Sequence, residues 1–156
     1  MKRVLLALAL AGLAATTGRA VLGETLAQLK EHMGKPEAQS RKDAAVWFFE
    51  VEAGRLVYTV TFNDKGLSIA EGIKPLKQAV FTSKAAQDFI DAQLTLAKDS
   101  KTVRSFQPGE TYLFGGQPFT CAPEEYVTVD EARDLVVVWN RSRAPSVIAF
   151  RREMLK

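Results

Sequence analysis

The spacing of apolar residues near the start of the chain predicts a helix with clear ends. Thr25 with Gln28 three residues later is a capping-box pattern, and Gly34–Pro36 predicts where the helix stops. Four apolar residues fall at a helical spacing that places them on one face: Leu22, Leu26, Leu29 and Met33. We therefore expect one amphipathic helix before the first strand.

Strict alternation of apolar and polar positions then predicts strands. Residues 45–52 place Trp47 and Phe49 on one side and Phe48 on the other. Residues 55–62 alternate in the same way; Leu56, Tyr58, Val60 and Phe62 point inward, whereas Val57, Thr59 and Thr61 point outward. A shorter third strand covers 67–71. Because the connections are short, we expect an antiparallel meander with one face on the helix.

The second half of the chain repeats this plan. Thr82 or Ser83 caps a predicted helix that runs to about Lys98, followed by strands at 111–114, 118–121, 126–130, 135–140 and 146–151. One face of that helix carries Ala86, Phe89, Ile90, Gln93, Leu94 and Ala97. The pattern predicts an α+β fold with two helices on antiparallel meander sheet, and the halves 22–72 and 82–151 suggest a degenerate tandem repeat.

The first twenty residues have the pattern of an export signal. Lys2 and Arg3 precede an apolar and small-residue run over 4–15, and Gly18 and Ala20 predict a cut at Ala20–Val21. The run is shorter than the about 20 residues a membrane-spanning helix needs. Cleavage gives an exported periplasmic or secreted chain of one domain, 21–156, without a membrane span; retention as an N-terminal anchor is the alternative.

The predicted signal also accounts for the positive charge of the chain. The whole sequence has 21 basic and 18 acidic residues, a net charge of +3. Three of the basic residues, Lys2, Arg3 and Arg19, lie in the signal, and no acidic residue does, so the remainder carries 18 of each sign. A chain of zero net charge does not have the basic surface typical of nucleic-acid binding.

A search for catalytic and metal-binding patterns identifies no site. The nucleophile elbow, the zinc-protease helix and the phosphate-binding loop are missing from the sequence. Cys121 is the single cysteine and His32 the single histidine, and we interpret Cys121 as a small buried thiol. Glu50 and Glu52 share one strand face, where we expect them to be solvated. The sequence therefore predicts no cofactor, no metal and no catalytic residue.

The first half also resembles a known class of exported domains. The residues that carry the resemblance are Gly23 before the first helix, its Leu26 and Leu29, the stop at Gly34–Pro36 and the strands over 47–62. Residues 22–72 are similar to the small helix-plus-meander domains of the β-lactamase-inhibitor-protein-like class, which includes outer-membrane-assembly lipoproteins of the SmpA/OmlA type. The resemblance implies a non-enzymatic protein-binding or scaffold role in the cell envelope. Unlike those lipoproteins, this chain has no cysteine near the signal to accept a lipid.

The outward side of the first two strands is the candidate binding site. It combines Val46, Phe48, Val57, Thr59 and Thr61, which we call the contact face. An apolar surface with threonines and one aromatic residue can bind a protein partner, or it can be buried under the second half of the chain. We expect an envelope or extracellular protein to dock here.

Two other functions fit the same sequence. One is a small secreted hydrolase or ligand carrier with a pocket between helix and sheet. The other is a structural secreted domain that associates with itself through an edge strand.

Overall fold

The computed structural model describes residues 20–40, 43–52, 54–77, 79–95 and 102–155. Within these residues the chain forms two α-helices, α1 (Leu26–Met33) and α2 (Ser83–Leu94). The strands are β1 (Ala38–Ser40), β2 (Ala44–Val51), β3 (Gly54–Phe62), β4 (Ser68–Pro75), β5 (Val103–Phe106), β6 (Thr111–Phe114), β7 (Gln117–Thr120), β8 (Glu125–Asp130), β9 (Leu135–Asn140) and β10 (Ser146–Arg151). Short 3-10 helices cover Glu131–Arg133 and Arg152–Leu155.

Eight of these strands form one antiparallel sheet in the order β1-β2-β3-β4-β10-β9-β8-β5, and β6 pairs with β7 in a separate hairpin. The predicted α+β class with an antiparallel meander is confirmed. The two halves meet where the last strand of each, β4 and β10, pair with Val147 opposite Ile73. Each half is therefore a helix followed by four sheet strands, and the second half has the β6–β7 hairpin inserted between β5 and β8.

Helix α1 begins and ends where the sequence predicts. The Thr25 side chain accepts a hydrogen bond from the Gln28 backbone N–H, and the Gln28 side chain accepts one from the Thr25 backbone N–H, which completes the capping box. Gly34 ends the helix with a φ of 78°, a value that favours glycine. Its carbonyl accepts a hydrogen bond at 2.9 Å from the indole Nε1 of Trp47, so the end of α1 is attached to β2.

The strands differ from the prediction at three places. The third strand continues past residue 71 to Pro75, because it pairs on both sides, with β3 and with β10. No strand is predicted at 38–40 or 103–106, because these edge strands of three and four residues are too short to show a clear alternation. The predicted end of the second helix, 96–98, lies outside the described residues, and so does the predicted export signal up to residue 19.

Both helices pack on the same side of the large sheet, which we call the inner face. The buried residues there form one continuous cluster that contains Leu29 of α1, Trp47 and Tyr58 of the first meander, and Ala86 and Phe89 of α2. Burial of apolar surface is the main contribution to stability, at roughly 25 cal/mol for each Å² removed from water. The inner face is therefore the principal core.

A second cluster lies on the opposite side, the outer face, and only at the β8–β9–β10 end. Tyr112 and Phe114 of the hairpin pack against Val127, Val129 and Val136 there, and all five are buried. The run LVVVW in β9 is apolar at five successive positions, a pattern typical of a strand covered on both sides. The structure agrees, since Leu135 and Val137 belong to the inner cluster and Val136 to the outer one.

Candidate functional site

Cross-strand pairing brings the five residues of the contact face together on the outer face. Val46 lies opposite Thr59, and Phe48 lies opposite Val57, while Thr61 pairs with Ala44. Directly opposite residues in an antiparallel pair have Cβ atoms about 4.5–5.5 Å apart and share one side of the sheet. The five side chains therefore form one group on the first two long strands.

Their exposure is uneven. Phe48 is 38% exposed and Thr59 is also exposed, Val46 and Thr61 are half-buried, and Val57 is 7% exposed. Val57 is therefore covered by its neighbours, whereas the Phe48 ring projects from the surface. The Arg55 guanidinium lies 5.8 Å from the centroid of the Phe48 ring, at a distance typical of cation–π contact.

The same surface continues across the seam between the halves. Gly72 of β4 pairs with Thr59 on one side and Ile148 of β10 on the other, and Ile148 is 40% exposed. Because Gly72 has no side chain, the surface between Thr59 and Ile148 is low. Ile148 is not among the predicted residues of the contact face, although the alternation of 146–151 together with the pairing of β4 and β10 places it on this side of the sheet.

The inner face holds a buried polar cluster that the sequence analysis did not identify. Glu71 of β4 is 1% exposed, and its carboxylate accepts hydrogen bonds from Tyr58 Oη at 2.5 Å, Ser68 Oγ at 2.8 Å and Gln93 Nε2 at 2.9 Å. We call these four residues the Glu71 network. A polar Gln93 in the apolar stripe of α2 was the available signal, but its partner is 22 residues away in sequence.

The Glu71 network also holds the segment before α1. Gln93 Nε2 donates to the Ala20 carbonyl at 3.1 Å, and Gln93 Oε1 accepts from the Leu22 backbone N–H at 3.1 Å. The Gly23 N–H donates to Ser68 Oγ at 2.9 Å. Residues 20–23 are consequently part of the core, with Ala20 3% and Leu22 5% exposed.

Burial changes the acidity of this cluster. Loss of hydration raises the pKa of the Glu71 carboxyl, and the hydrogen bonds that it accepts only partly offset that effect. The pKa of Tyr58 is raised well above its usual value, first by burial and then by the neighbouring Glu71 carboxylate. The three groups that donate hydrogen bonds to Glu71 are all neutral. Burial of this carboxyl as an anion is therefore unfavourable for folding.

The other candidate side chains do not come together in a reactive group. Burial raises the pKa of the Cys121 thiol, which is 2% exposed. His32 lies in the last turn of α1, and its Nε2 is 3.1 Å from Glu24 Oε1. Glu50 forms an ion pair with Arg55 where β2 ends and β3 begins, and Glu52 is exposed. Among the described residues, no group of three or more potential ligands could hold a metal ion.

A groove of about 360 Å³ lies on the inner face beside α2. Ile90 and Leu94 of the helix form one wall, and the floor comes from β5, β8 and β9, with Val137 and Trp139. Tyr126 also lines the groove, and the Arg141 guanidinium lies 5.0 Å from the Trp139 ring and 5.3 Å from the Tyr126 ring. The volume is at the lower end of the range for small-molecule sites.

Comparison with known proteins gives no relative. No family model matches the chain, and no curated protein or solved structure is significantly similar to it. The resemblance of residues 22–72 to the inhibitor-protein-like class therefore stays a prediction. None of the helices in the described ranges has the length and apolar character needed to span a bilayer.

Proposed function

We propose that this chain is an exported, non-catalytic binding module of the cell envelope and that a protein partner docks on its contact face. The observation that carries the proposal is the accessible outer face of the first half and its seam with the second, where Phe48 of β2, Thr59 of β3 and Ile148 of β10 are exposed on one side of the sheet. Aromatic and aliphatic side chains that project from a flat surface, with polar groups around them, are typical of the centre of a protein interface.

The composition of this surface also supports a protein over a charged ligand. The five residues of the contact face are uncharged, and the charged groups beside them are the Glu50–Arg55 pair and exposed Lys74, which lies opposite Val57 on β4. A mixed rim around an apolar centre matches interfaces in which the rim orients the partner and the centre contributes affinity. We expect Phe48 to be the main anchor, because it is the only aromatic residue of the contact face.

Site-specific photocrosslinking in an exporting bacterial host tests this proposal. A photoreactive phenylalanine analogue at Thr59 samples the contact face, and the same analogue at exposed Gln87 of α2 samples the inner side. We expect one dominant envelope protein to crosslink from position 59 and not from position 87. Recovery of uncrosslinked protein at full yield from both positions would contradict the proposal.

A pair of alanine variants then tests the anchor. Phe48→Ala should reduce the crosslinked fraction from position 59 at least several-fold, because a central aromatic residue often contributes much of the binding energy. Leu113→Ala is the matched control, since Leu113 is an apolar residue 60% exposed on the hairpin. Equal loss in both variants would show that general stability, not the contact face, limits crosslinking.

The groove beside α2 supports a second candidate function, that of a small-ligand carrier. Ile90, Leu94 and Val137 line it together with polar Gln87 and Asp91, and two aromatic rings complete the lining, which suits a partly apolar ligand with an aromatic end. Native mass spectrometry of the exported protein should then show a bound small molecule that is lost in Trp139→Ala. A bare protein mass, with the crosslink from position 59 retained, would favour the binding module alone.

A further inference from the structure

The segment that precedes α1 has a local geometry that bears on how the chain is processed. Residues 21–24 form a turn, in which the Glu24 N–H donates to the Val21 carbonyl at 3.3 Å. The Glu24 side chain folds back over this turn, and its Oε2 accepts from the Val21 backbone N–H at 3.1 Å. A carboxylate is thus held against the nitrogen of Val21, which is one side of the bond predicted to be cut.

The charges around this nitrogen favour a cation. Glu24 lies on it directly, and the buried Glu71 carboxylate is connected to the same place through Gln93, which donates to both Glu71 and the Ala20 carbonyl. The basic groups nearby already have partners. His32 contacts the other oxygen of Glu24, and Arg151 donates to the Leu22 carbonyl at 3.0 Å.

We propose that the turn at 21–24 is the binding site for the α-ammonium group of Val21. Cleavage of the Ala20–Val21 bond creates this group, and Glu24 then holds it in an ion pair. Hydrolysis by a leader peptidase consumes one water. The hydroxyl goes to the Ala20 carbonyl carbon, whose carboxylate leaves with residues 1–20. The nitrogen of Val21 gains protons and is a cation at neutral pH, since an α-amino group has an ordinary pKa of about 7.7–8.0.

The order of events follows from burial. Ala20 is 3% exposed, so a peptidase cannot reach the bond once this segment is folded into the core. Cleavage therefore precedes folding of residues 20–24. It removes one hydrogen-bond acceptor of Gln93 and supplies an ion pair to Glu24 in exchange, so that the processed chain and the precursor reach the same fold with different stabilities.

The first test is the intact mass of the full-length gene product recovered from a bacterial periplasm. The proposal requires a chain that begins at Val21. A chain that begins at any other residue, or one that keeps residues 1–20, would overturn it. This test depends on the proposed export but not on the contact face, so failure here would leave the crosslink from position 59 as an independent result.

The second test compares three purified chains at pH 6.5: one that begins at Val21 with a free amine, the same chain acetylated on that amine, and one that begins at Ala20. We expect the free Val21 chain to have a Tm about 3–6 °C above the acetylated chain, as for one partly buried ion pair in a domain of this size. The chain that begins at Ala20 places its ammonium one residue away and should lack this gain.

Glu24→Gln provides the matched control, because it keeps an acceptor for the Val21 nitrogen but removes the charge. The difference between free and acetylated chains should then disappear. Equal Tm values for the free and acetylated wild-type chains would overturn the proposal, and so would a difference that persists in the Gln variant. If Glu24→Gln does not fold, the comparison of the free, acetylated and Ala20 chains still decides.

Discussion

The two halves of the molecule share an order of elements but treat their outer surfaces differently. In the second half, Val127 and Val129 of β8 are 2% and 1% exposed, because the β6–β7 hairpin packs over them. In the first half, the strand with the same place in the order is β2, and its Phe48 is 38% exposed. The inserted hairpin therefore buries the outer face of the second half. The outer face of the first half has no such hairpin over it and stays accessible to a partner.

The residues themselves follow this difference. On the outer side, β8 and β9 carry Val127, Val129, Val136 and Val138, whereas β3 carries Val57 followed by Thr59 and Thr61. Threonine suits a strand that is half in water, and consecutive valines suit one covered on both sides. The comparison thus predicts that equivalent changes on the two halves have unequal costs.

The largest effect is expected where the cover is removed. Phe114→Ala should destabilise the protein by about 3–5 kcal/mol, because the ring is 2% exposed and packs edge-on to Phe150 at 6.2 Å. Urea unfolding followed by circular dichroism measures the change. Leu113→Ala on the same strand, at 60% exposure, is the control and should change stability by less than about 0.5 kcal/mol. A cost below about 1 kcal/mol at Phe114 would mean that the hairpin is not a structural cover.

The seam between the halves should be the next most sensitive place. Glu71→Ala leaves the donors Tyr58, Ser68 and Gln93 without their acceptor, and it creates a small cavity opposite Ala149. We expect a loss of about 2–4 kcal/mol in the same unfolding measurement. Glu71→Gln keeps an acceptor in place and should cost less. If alanine were the milder change, the buried charge would outweigh its hydrogen bonds.

A smaller, pH-dependent effect should identify the charge of Glu71 itself. Burial raises the pKa of Glu71 in the folded chain above the value of about 4.3 in the unfolded chain. Between these two values the folded state binds more protons, so this group makes the protein less stable as the pH rises, and its effect is constant above the window. The Tm of the wild type relative to Glu71→Gln should therefore fall as the pH rises above about 4.3. A relative Tm that rises instead would mean that hydrogen bonds hold the pKa below its usual value.

The sequence was sufficient for most of the first meander, because its signals are local. The capping box at Thr25, the stop at Gly34 and the alternation over 55–62 each depend on neighbours a few residues away. The five residues of the contact face were placed on one side of the sheet by the same alternation. Their exposure was not predictable, since it depends on where the hairpin of the second half packs.

The Glu71 network shows why other features were missed. Gln93 contacts residues that are 71 and 73 positions away in sequence, and Glu71 is the one acidic residue of β4. Periodicity identifies which face a residue lies on but not which distant polar group it meets. The pairing of β4 with β10, which extends the contact face to Ile148, is non-local for the same reason.

The smallest effect on stability is expected on the accessible face. Phe48→Ala removes a ring that is 38% exposed, with Val57 opposite and Arg55 beside it. Because such cross-strand pairs contribute about 0.2–1 kcal/mol, we expect a loss of at most about 1 kcal/mol. Urea unfolding of Phe48→Ala and Phe114→Ala side by side measures the contrast between the halves directly. If Phe48→Ala were as costly as Phe114→Ala, Phe48 would be part of a core, and a partner could not use it as an accessible anchor. A small cost combined with loss of the crosslink from position 59 is the result that binding on this face requires.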